Sequence, residues 1–451
     1  MPSVTCQNLI ITITDRYVDP TLEMLNQYEV TVTDLLPSVD VLVGRLSSLA
    51  SRFSLVQFIV QGTVQVSQEE SSMRVGVVGA GIVGLAYAWT AAVCGHRVTV
   101  LEKSPWASGA SIRNFGMVWP IGQTCGVSYQ TAMRSRQSWL SLSEAAGVWV
   151  NRCGSIHLAY HDDELAVMRE FAAAAGDFGV ECRMQTAHEI LSQSPAANPD
   201  GLLGGLYSPT ELCVNPRLAS AQIAKWLANH HGVDFQFSTH VIAADSTTLR
   251  TADCRAWEFD RVIVCGGAEA GNLFPLQMRQ SGLRLCKLQM LRTVAQPDHW
   301  RLGPHIAGGL TLRHYRSFEI CPTLAILKNR IATEKPELDR YGIHVMASQD
   351  DQGHVILGDS HEYDDQIDPF DKESIDEMIL RELHTLIRLP TWTIQERWHG
   401  VYAKHPESPI YHAEPIPGVY LRTGTGGAGM TMSFGLAQAD WETIESATAL
   451  G

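Results

Sequence analysis

Val75 to Val78 is an unbroken apolar run behind Met73 and Arg74, the pattern of a strand buried on both faces. Ile82–Cys94 follows with apolar residues around most of its circumference, as in a helix packed on a sheet, and Gly95 closes it at a left-handed cap position. Arg97–Leu101 reads as a second strand, so the segment is a strand–helix–strand unit. Further along, Glu164–Gly176, Leu218–His230 and Ser374–Leu386 have helical periodicity, and Val262–Cys265 is a buried strand ending at Gly266-Gly267. Between about residues 276 and 349 the pattern alternates as strands do, in Leu285–Thr293, Gly309–His314 and Gly342–Ala347, which predicts an inserted β-rich part. The chain closes with a strand over Gly418–Thr423, a glycine loop and a helix from about Thr431 to Ala447.

Residues 1–72 read differently. Their short apolar stretches, Leu9–Thr14 and Leu55–Val60, have no clean period, and they end in the polar run Gln68-Glu69-Glu70-Ser71-Ser72. Because a nucleotide-binding fold commonly starts with its first strand, Met73 is the expected natural start. Residues 1–72 are then expected to be an upstream extension, either over-read or poorly ordered.

Composition narrows the function. The 451 residues carry 34 Lys+Arg against 48 Asp+Glu, a net charge of −14, with 45% apolar and 18% charged residues. This is the balance of a globular protein of two or three domains at about 100–200 residues each, and it excludes wholesale disorder or a coiled coil. The acidic excess argues against nucleic acid as a partner, since phosphate backbones are held by Lys and Arg. No apolar run approaches the ~18–20 residues that span a bilayer, and no signal-peptide pattern opens the chain. The ten cysteines are scattered without a C-x-x-C pair, which speaks against a zinc ribbon or a dithiol centre and fits a reducing compartment. The expected location is cytoplasmic.

The chemistry begins at Gly79-Ala80-Gly81-Ile82-Val83-Gly84, a G-x-G-x-x-G set between strand and helix. Its acidic partner, Glu102, lies 102 − 84 = 18 residues past the last glycine, at the end of the second strand. Gly79 permits the tight turn, Gly81 the close approach of a pyrophosphate to the backbone, and Gly84 the packing of helix on strand. The helix N-terminus at Ile82 presents N–H groups to the phosphates, and Glu102 accepts from a ribose diol. Strand, glycines, helix, strand and acid in this order indicate a dinucleotide site.

The stretch from Lys103 to Gly116, with Ser111-Ile112-Arg113-Asn114-Phe115-Gly116 at its end, resembles the flavin-cradling loop of the D-amino-acid oxidase/glycine oxidase superfamily of FAD enzymes. Asp260–Ala268 resembles that superfamily's strand and turn closing over the cofactor. Arg422–Thr431 resembles its C-terminal loop, whose helix aims its N-terminus at the flavin and stabilises negative charge there. The resemblance covers essentially residues 73–450. It implies an α/β fold: a three-layer Rossmann-like FAD-binding domain made of 73–150, 208–275 and 350–451, with a mixed β-sheet substrate domain of 151–207 and 276–349. It implies noncovalent FAD held by Gly79, Gly81, Ile82, Gly84, Glu102, Lys103, Ser111, Arg113, Asn114, Val241, Gly266, Gly429, Met430 and Thr431.

The blocks Arg113–Gly122, Gly309–Phe318, Gly358–Tyr363, Arg397–His405 and Gly426–Gly435 further resemble a clade proposed to act on aminophosphonates. That resemblance implies oxidation of the C–N bond of 2-aminoethylphosphonate or its N-methyl form, giving an aldehyde plus ammonia or methylamine, with oxygen as the expected acceptor. The alternatives are oxidation of glycine, sarcosine or another small amino acid, and a flavin-binding subunit without turnover. No side chain is singled out as catalytic, since the cofactor carries the redox step. An acidic head group calls for Arg or Lys donors. The candidates are Arg313, His314, Tyr315 and Arg316, where strand alternation puts Arg313 and Tyr315 on one face, and Lys404. Trp119, Trp398 and Tyr402 serve equally as pocket wall or as core. His361-Glu362 lacks the rest of a metal motif, so no metal is expected.

Overall fold

The computed structural model describes residues 72–446, together with the backbone of three antiparallel strands, Leu9–Asp15, Asn26–Val32 and Gln57–Phe58. The expectation that residues 1–72 are over-read or poorly ordered otherwise lies outside the described residues.

From residue 72 onward the described chain builds two large sheets and two small three-stranded ones. The first has six strands in the spatial order Asp234–Gln236, Arg97–Leu101, Arg74–Val78, Arg261–Val264, Val419–Thr423, Tyr411–Ile416. All neighbours in it are parallel except the last pair. Val75, Val77, Ile263 and Leu421 are wholly buried, as parallel strands covered on both faces require. One face carries the helices Ile82–Val93, Val127–Ala146, Pro216–His231 and Gly429–Ser446. There Phe434 sits edge-on to both Trp89 (5.4 Å) and Trp139 (5.2 Å). The other face is covered by the antiparallel strands Val241–Asp245, Thr248–Thr251 and Ala256–Glu258, with Leu249 and Phe259 packed on Val262, Val419 and Leu421. The result is three layers, as the sequence implied.

The second sheet is mixed and nine-stranded, running Glu362–Asp364, Arg284–Ala295, His354–Gly358, Met346–Gln349, His305–Ala307, Ser155–Ala159, Gly204–Ser208, Arg183–Gln185. Its ninth strand, Ile394–Lys404, pairs along Arg284–Thr293. This shifts an expected boundary. The sequence places residues 354–404 in the nucleotide-binding part, yet three of their strands belong to the second sheet, because Ile394–Lys404 finds its ladder partner there.

Two strand expectations are also corrected. Gly309–His314 is not a strand: Gly309–Leu312 is one helical turn, with Leu310 and Leu312 both buried. Alternation over so few residues cannot separate a strand from a turn sealed on all sides. In Gly342–Ala347 the strand starts only at Met346. Among the described residues no helix is long and apolar enough to cross a membrane.

Candidate active site

A cavity of about 750 Å³ runs from the glycine turn of the first sheet to the second sheet. At one end the sequence motif takes the shape its residues dictate. Gly79 has φ +104°, and a Cβ there would lie 2.6 Å from the Cys265 carbonyl oxygen. A Cβ on Gly84 would lie 1.9 Å from the Gly79 carbonyl oxygen, so helix and strand touch through bare backbone. The helix Ile82–Val93 begins at Gly81, which has no side chain to cap it, and carries no acidic residue in its first turn, so its positive end faces the cavity.

Glu102, 9% exposed, is fixed by amides: Ala80 N–H donates to Oε2 at 2.8 Å and Ser104 N–H to Oε1 at 2.9 Å. The carboxylate thereby stands beside the glycine turn with lone pairs to spare for a diol. Ser111 Oγ accepts from Ile82 N–H at 2.9 Å, tying the small-residue loop to the helix start. Asn114 accepts from Gly116 N–H (2.8 Å) and donates to the Ala110 and Ser111 carbonyls, which shapes that loop. Lys103 is paired with Glu269, and Arg113 reaches the His399 carbonyl at 3.5 Å. Gly79, Gly81, Ile82, Glu102, Lys103, Ser111, Arg113, Asn114, Val241, Gly266, Gly429, Met430 and Thr431 all line the cavity. Gly84 alone of the expected cofactor residues does not line it and serves the packing behind it. Bare glycine backbone, a helix start facing the cavity and a fixed acid make a cradle that fits a dinucleotide such as FAD.

The second helix aimed at the cavity is Gly429–Ser446, entered through the turn Gly426–Ala428. Met430 O accepts from Trp139 Nε1 at 2.7 Å, and Thr431 Oγ1 accepts from Trp119 N–H at 2.9 Å. These bonds fix where the helix N-terminus points.

At the far end of the cavity stand Trp119, His314, Tyr315, Arg316, Tyr402 and Lys404. Trp119 and Tyr315 lie 6.2 Å apart between ring centroids. Lys404 lies against the C-terminal glycine turn, where a Cβ on Gly426 would touch its stem at 3.2 Å, and its Nζ donates to Tyr363 Oη at 3.3 Å. Burial lowers the Lys404 pKa, while the buried Tyr402 hydroxyl is pushed well above its ordinary value, chiefly by desolvation.

Arg313 and Trp398 do not join them. Arg313 turns away to Asp339 at 2.7 Å and to the Leu338 and Ile343 carbonyls, because the segment is a helical turn and not an alternating strand. Trp398 is covered from outside by the Arg217 guanidinium, 5.1 Å from its ring.

Three residues that the sequence does not offer as substrate contacts also line this end: His344, Asp359 and His361. In the sequence His361 stands out as half a metal motif and, with Asp359, as part of the Gly358–Tyr363 block. Burial pushes the Asp359 carboxyl well above its usual value. Burial, then the neighbouring imidazoles and the Lys404 and Arg313 charges, lower His314 and His344 well below theirs. His361 is pushed down to about 3, by burial first and Lys404 next. His314, His344 and the pair Asp359 and His361 come from three separate loops, and the spacing between those loops carries no signal.

Comparison with known proteins agrees with this geometry. The family model DAO, FAD dependent oxidoreductase, matches residues 74–439. A subunit of the opine oxidase of Agrobacterium tumefaciens (strain Ach5) is 23% identical over 364 residues, covering 76% of this chain and 86% of that protein. Glycine oxidase of Geobacillus kaustophilus (strain HTA426) is 23% identical over 209 residues, 44% of this chain and 55% of that one. Among solved structures, glycine oxidase from Bacillus cereus ATCC 14579 has a TM-score of 0.66 at 18% identity, covering 83% of this chain and 96% of that one. The L-proline dehydrogenase from P. horikoshii has a TM-score of 0.65 at 20% identity, covering 83% and 94%.

Proposed function

The chain belongs to the DAO family of FAD-dependent oxidoreductases, and from that premise we propose that it oxidises the C–N bond of a small amine bearing an acidic head group. The head group proposed is a phosphonate, as in 2-aminoethylphosphonate or its N-methyl derivative. The supporting observation is the polarity of the cavity end facing the C-terminal glycine turn. Lys404, Arg316 and three imidazoles line it, and the carboxyl that touches the imidazoles, Asp359, is held toward its neutral form by burial. Through the charge of Lys404 such a wall attracts an anion and disfavours a doubly cationic amine.

FAD, bound noncovalently in the glycine cradle, supplies a two-electron acceptor for the C–H bond next to nitrogen. Water cleaves the resulting substrate imine to an aldehyde plus ammonia or methylamine, which for 2-aminoethylphosphonate gives phosphonoacetaldehyde plus ammonia. The chain's own part is placement. Glu102 would hold a ribose diol and the Ile82 helix start the pyrophosphate of the dinucleotide, and the Gly429 helix start would offer a positive dipole end to its flavin. Lys404 anchors the acidic head, and Trp119, Tyr315 and Tyr402 wall the cavity against bulk water. The acceptor that reoxidises the enzyme is proposed to be oxygen.

Steady-state assays with 2-aminoethylphosphonate, its N-methyl form, glycine and sarcosine, following aldehyde and oxygen, test the reading. It expects the phosphonates to be preferred. Turnover of the carboxylates alone supports a second reading, a small-amino-acid oxidase, which the similarity to glycine oxidase favours.

A further inference from the structure

His314, His344 and His361 arrive from three loops and meet on the cavity wall, with ring centroids 4.0, 4.3 and 4.9 Å apart. One ring nitrogen from each lies within 4.8 Å of the others. His344 is only 2% exposed and neither of its ring nitrogens has a hydrogen-bond partner; His361 is 6% exposed and its Nδ1 has none. Burying a polar group without a partner is costly, so the cluster is built to receive something.

The surroundings decide between a cation and an anion. The groups facing the imidazoles are Asp359, at 3.3 Å from His344 and 3.9 Å from His361, the rings of Tyr315, Tyr363 and Tyr402, and the charges of Lys404 and Arg313. Burial pushes the Asp359 carboxyl and the tyrosine hydroxyls toward their neutral forms, which leaves the charge of Lys404, Arg313 being already paired with Asp339. The rings also lie half-stacked, with interplanar angles of 36°, 46° and 23°, rather than radiating from one point as the ligands of a single ion do.

We propose that His314, His344, His361 and Lys404 form an oxyanion subsite that grips a tetrahedral dianionic head group, each imidazole donating a ring N–H to a different oxygen. Binding of the dianion draws one proton from solvent onto the imidazole cluster, so that two cationic groups face two negative charges. A planar carboxylate, with two oxygens and one charge, leaves the third imidazole unsatisfied. The subsite deepens the proposed function and rests on it for the identity of the bound molecule, while its anion-binding test needs no turnover.

The test uses the FAD-loaded enzyme at mildly alkaline pH, where phosphate is largely the dianion. Inorganic phosphate, methylphosphonate and acetate are titrated by change in the visible flavin spectrum and by calorimetry in two buffers of different ionisation heat. The expected result is at least roughly tenfold tighter binding of phosphate and methylphosphonate than of acetate, with net proton uptake. His344→Gln is expected to weaken phosphate on the order of 10- to 100-fold, the loss of a charge-assisted hydrogen bond, and to leave acetate unchanged. If His344→Gln misfolds by near-ultraviolet circular dichroism, His361→Gln and the buffer dependence of the unmutated enzyme carry the same reading. Equal affinity for phosphate and acetate overturns the subsite, and so does stoichiometric zinc or iron in enzyme purified without chelator. Phosphate selectivity in an enzyme that oxidises no phosphonate amine supports the subsite and contradicts the proposed substrate. Phosphonate turnover without phosphate selectivity does the reverse.

Discussion

Arg422 and Asp440 form a two-pronged buried ion pair, Nε to Oδ2 at 2.6 Å and Nη2 to Oδ1 at 3.1 Å. Arg422 lies one residue from the end of the strand Val419–Thr423 before the C-terminal glycine turn, and Asp440 lies on the helix after it, so the pair closes that turn like a clasp. Tyr87 donates to the same carboxylate at 2.7 Å from the helix that starts at the first glycine motif. One carboxylate thus ties together both helices whose N-termini face the cavity. Burial alone raises the Asp440 pKa, but hydrogen bonds from His412, Arg422 and Tyr87 outweigh it and hold the group below the ordinary range.

Asp440→Ala leaves the Arg422 guanidinium buried without its partner. The expected loss is about 3–5 kcal/mol of folding stability, with weaker retention of FAD because the two helix starts lose their common anchor. Denaturant midpoints and the flavin-to-protein ratio check this; an unchanged midpoint contradicts the clasp.

The glycines of the first motif fail in different ways when enlarged. Gly84→Ala drives a Cβ to 1.9 Å from the Gly79 carbonyl oxygen and is expected to prevent folding. A Cβ on Gly81 meets only Ser111 Oγ, at 3.1 Å, so Gly81→Leu is expected to fold and to lose FAD by blocking the pyrophosphate. Circular dichroism and flavin content separate the two, and stoichiometric FAD in Gly81→Leu contradicts the cradle.

His157 and His305 give the fold a defined acid sensitivity. Burial pushes His157 down to about 3 and, offset in part by the Leu212 carbonyl, His305 to about 4, from 6.5. In the unfolded chain both take up protons near 6.5, so between that pH and about 4 the unfolded state binds more protons. Their contribution is full above pH 6.5 and is lost as pH falls, at up to about 1.4 kcal/mol per pH unit for each. Urea midpoints across this range should fall with pH, and His157→Phe should flatten the slope; an unaltered slope contradicts the assignment.

Lys404→Met removes the cation beside the C-terminal glycine turn while keeping most of its apolar stem. For an amine with an acidic head, kcat/KM is expected to drop on the order of 10- to 100-fold, mainly through KM. A loss confined to kcat, with KM preserved, contradicts a head-group role.

What is legible in the sequence follows from how local each signal is. Gly79, Gly81, Gly84 and Glu102 can be read because one strand–helix–strand unit holds all of them, and the glycine turn before Thr431 likewise precedes its own helix. Arg313 misleads because the segment before it, Gly309–Leu312, is one helical turn, which brings the arginine toward Asp339. The strand Ile394–Lys404 escapes notice because its burial alternates irregularly and its membership depends on a partner about a hundred residues earlier. The meeting of the three histidines is hidden for the same reason, although His314 is itself a candidate and His361 falls in the Gly358–Tyr363 block. His314, His344 and His361 are 30 and 17 residues apart, distances set by the loops of the second sheet and not by any motif.

Anaerobic mixing of the purified holoenzyme with 2-aminoethylphosphonate, its N-methyl form, glycine and sarcosine tests the central claim, that an amine with an acidic head delivers two electrons to FAD in this cavity. The account predicts that the visible flavin band bleaches in a single turnover with a phosphonate amine and that phosphonoacetaldehyde appears in stoichiometric amount. A flavin band left intact by every amine of the panel contradicts it.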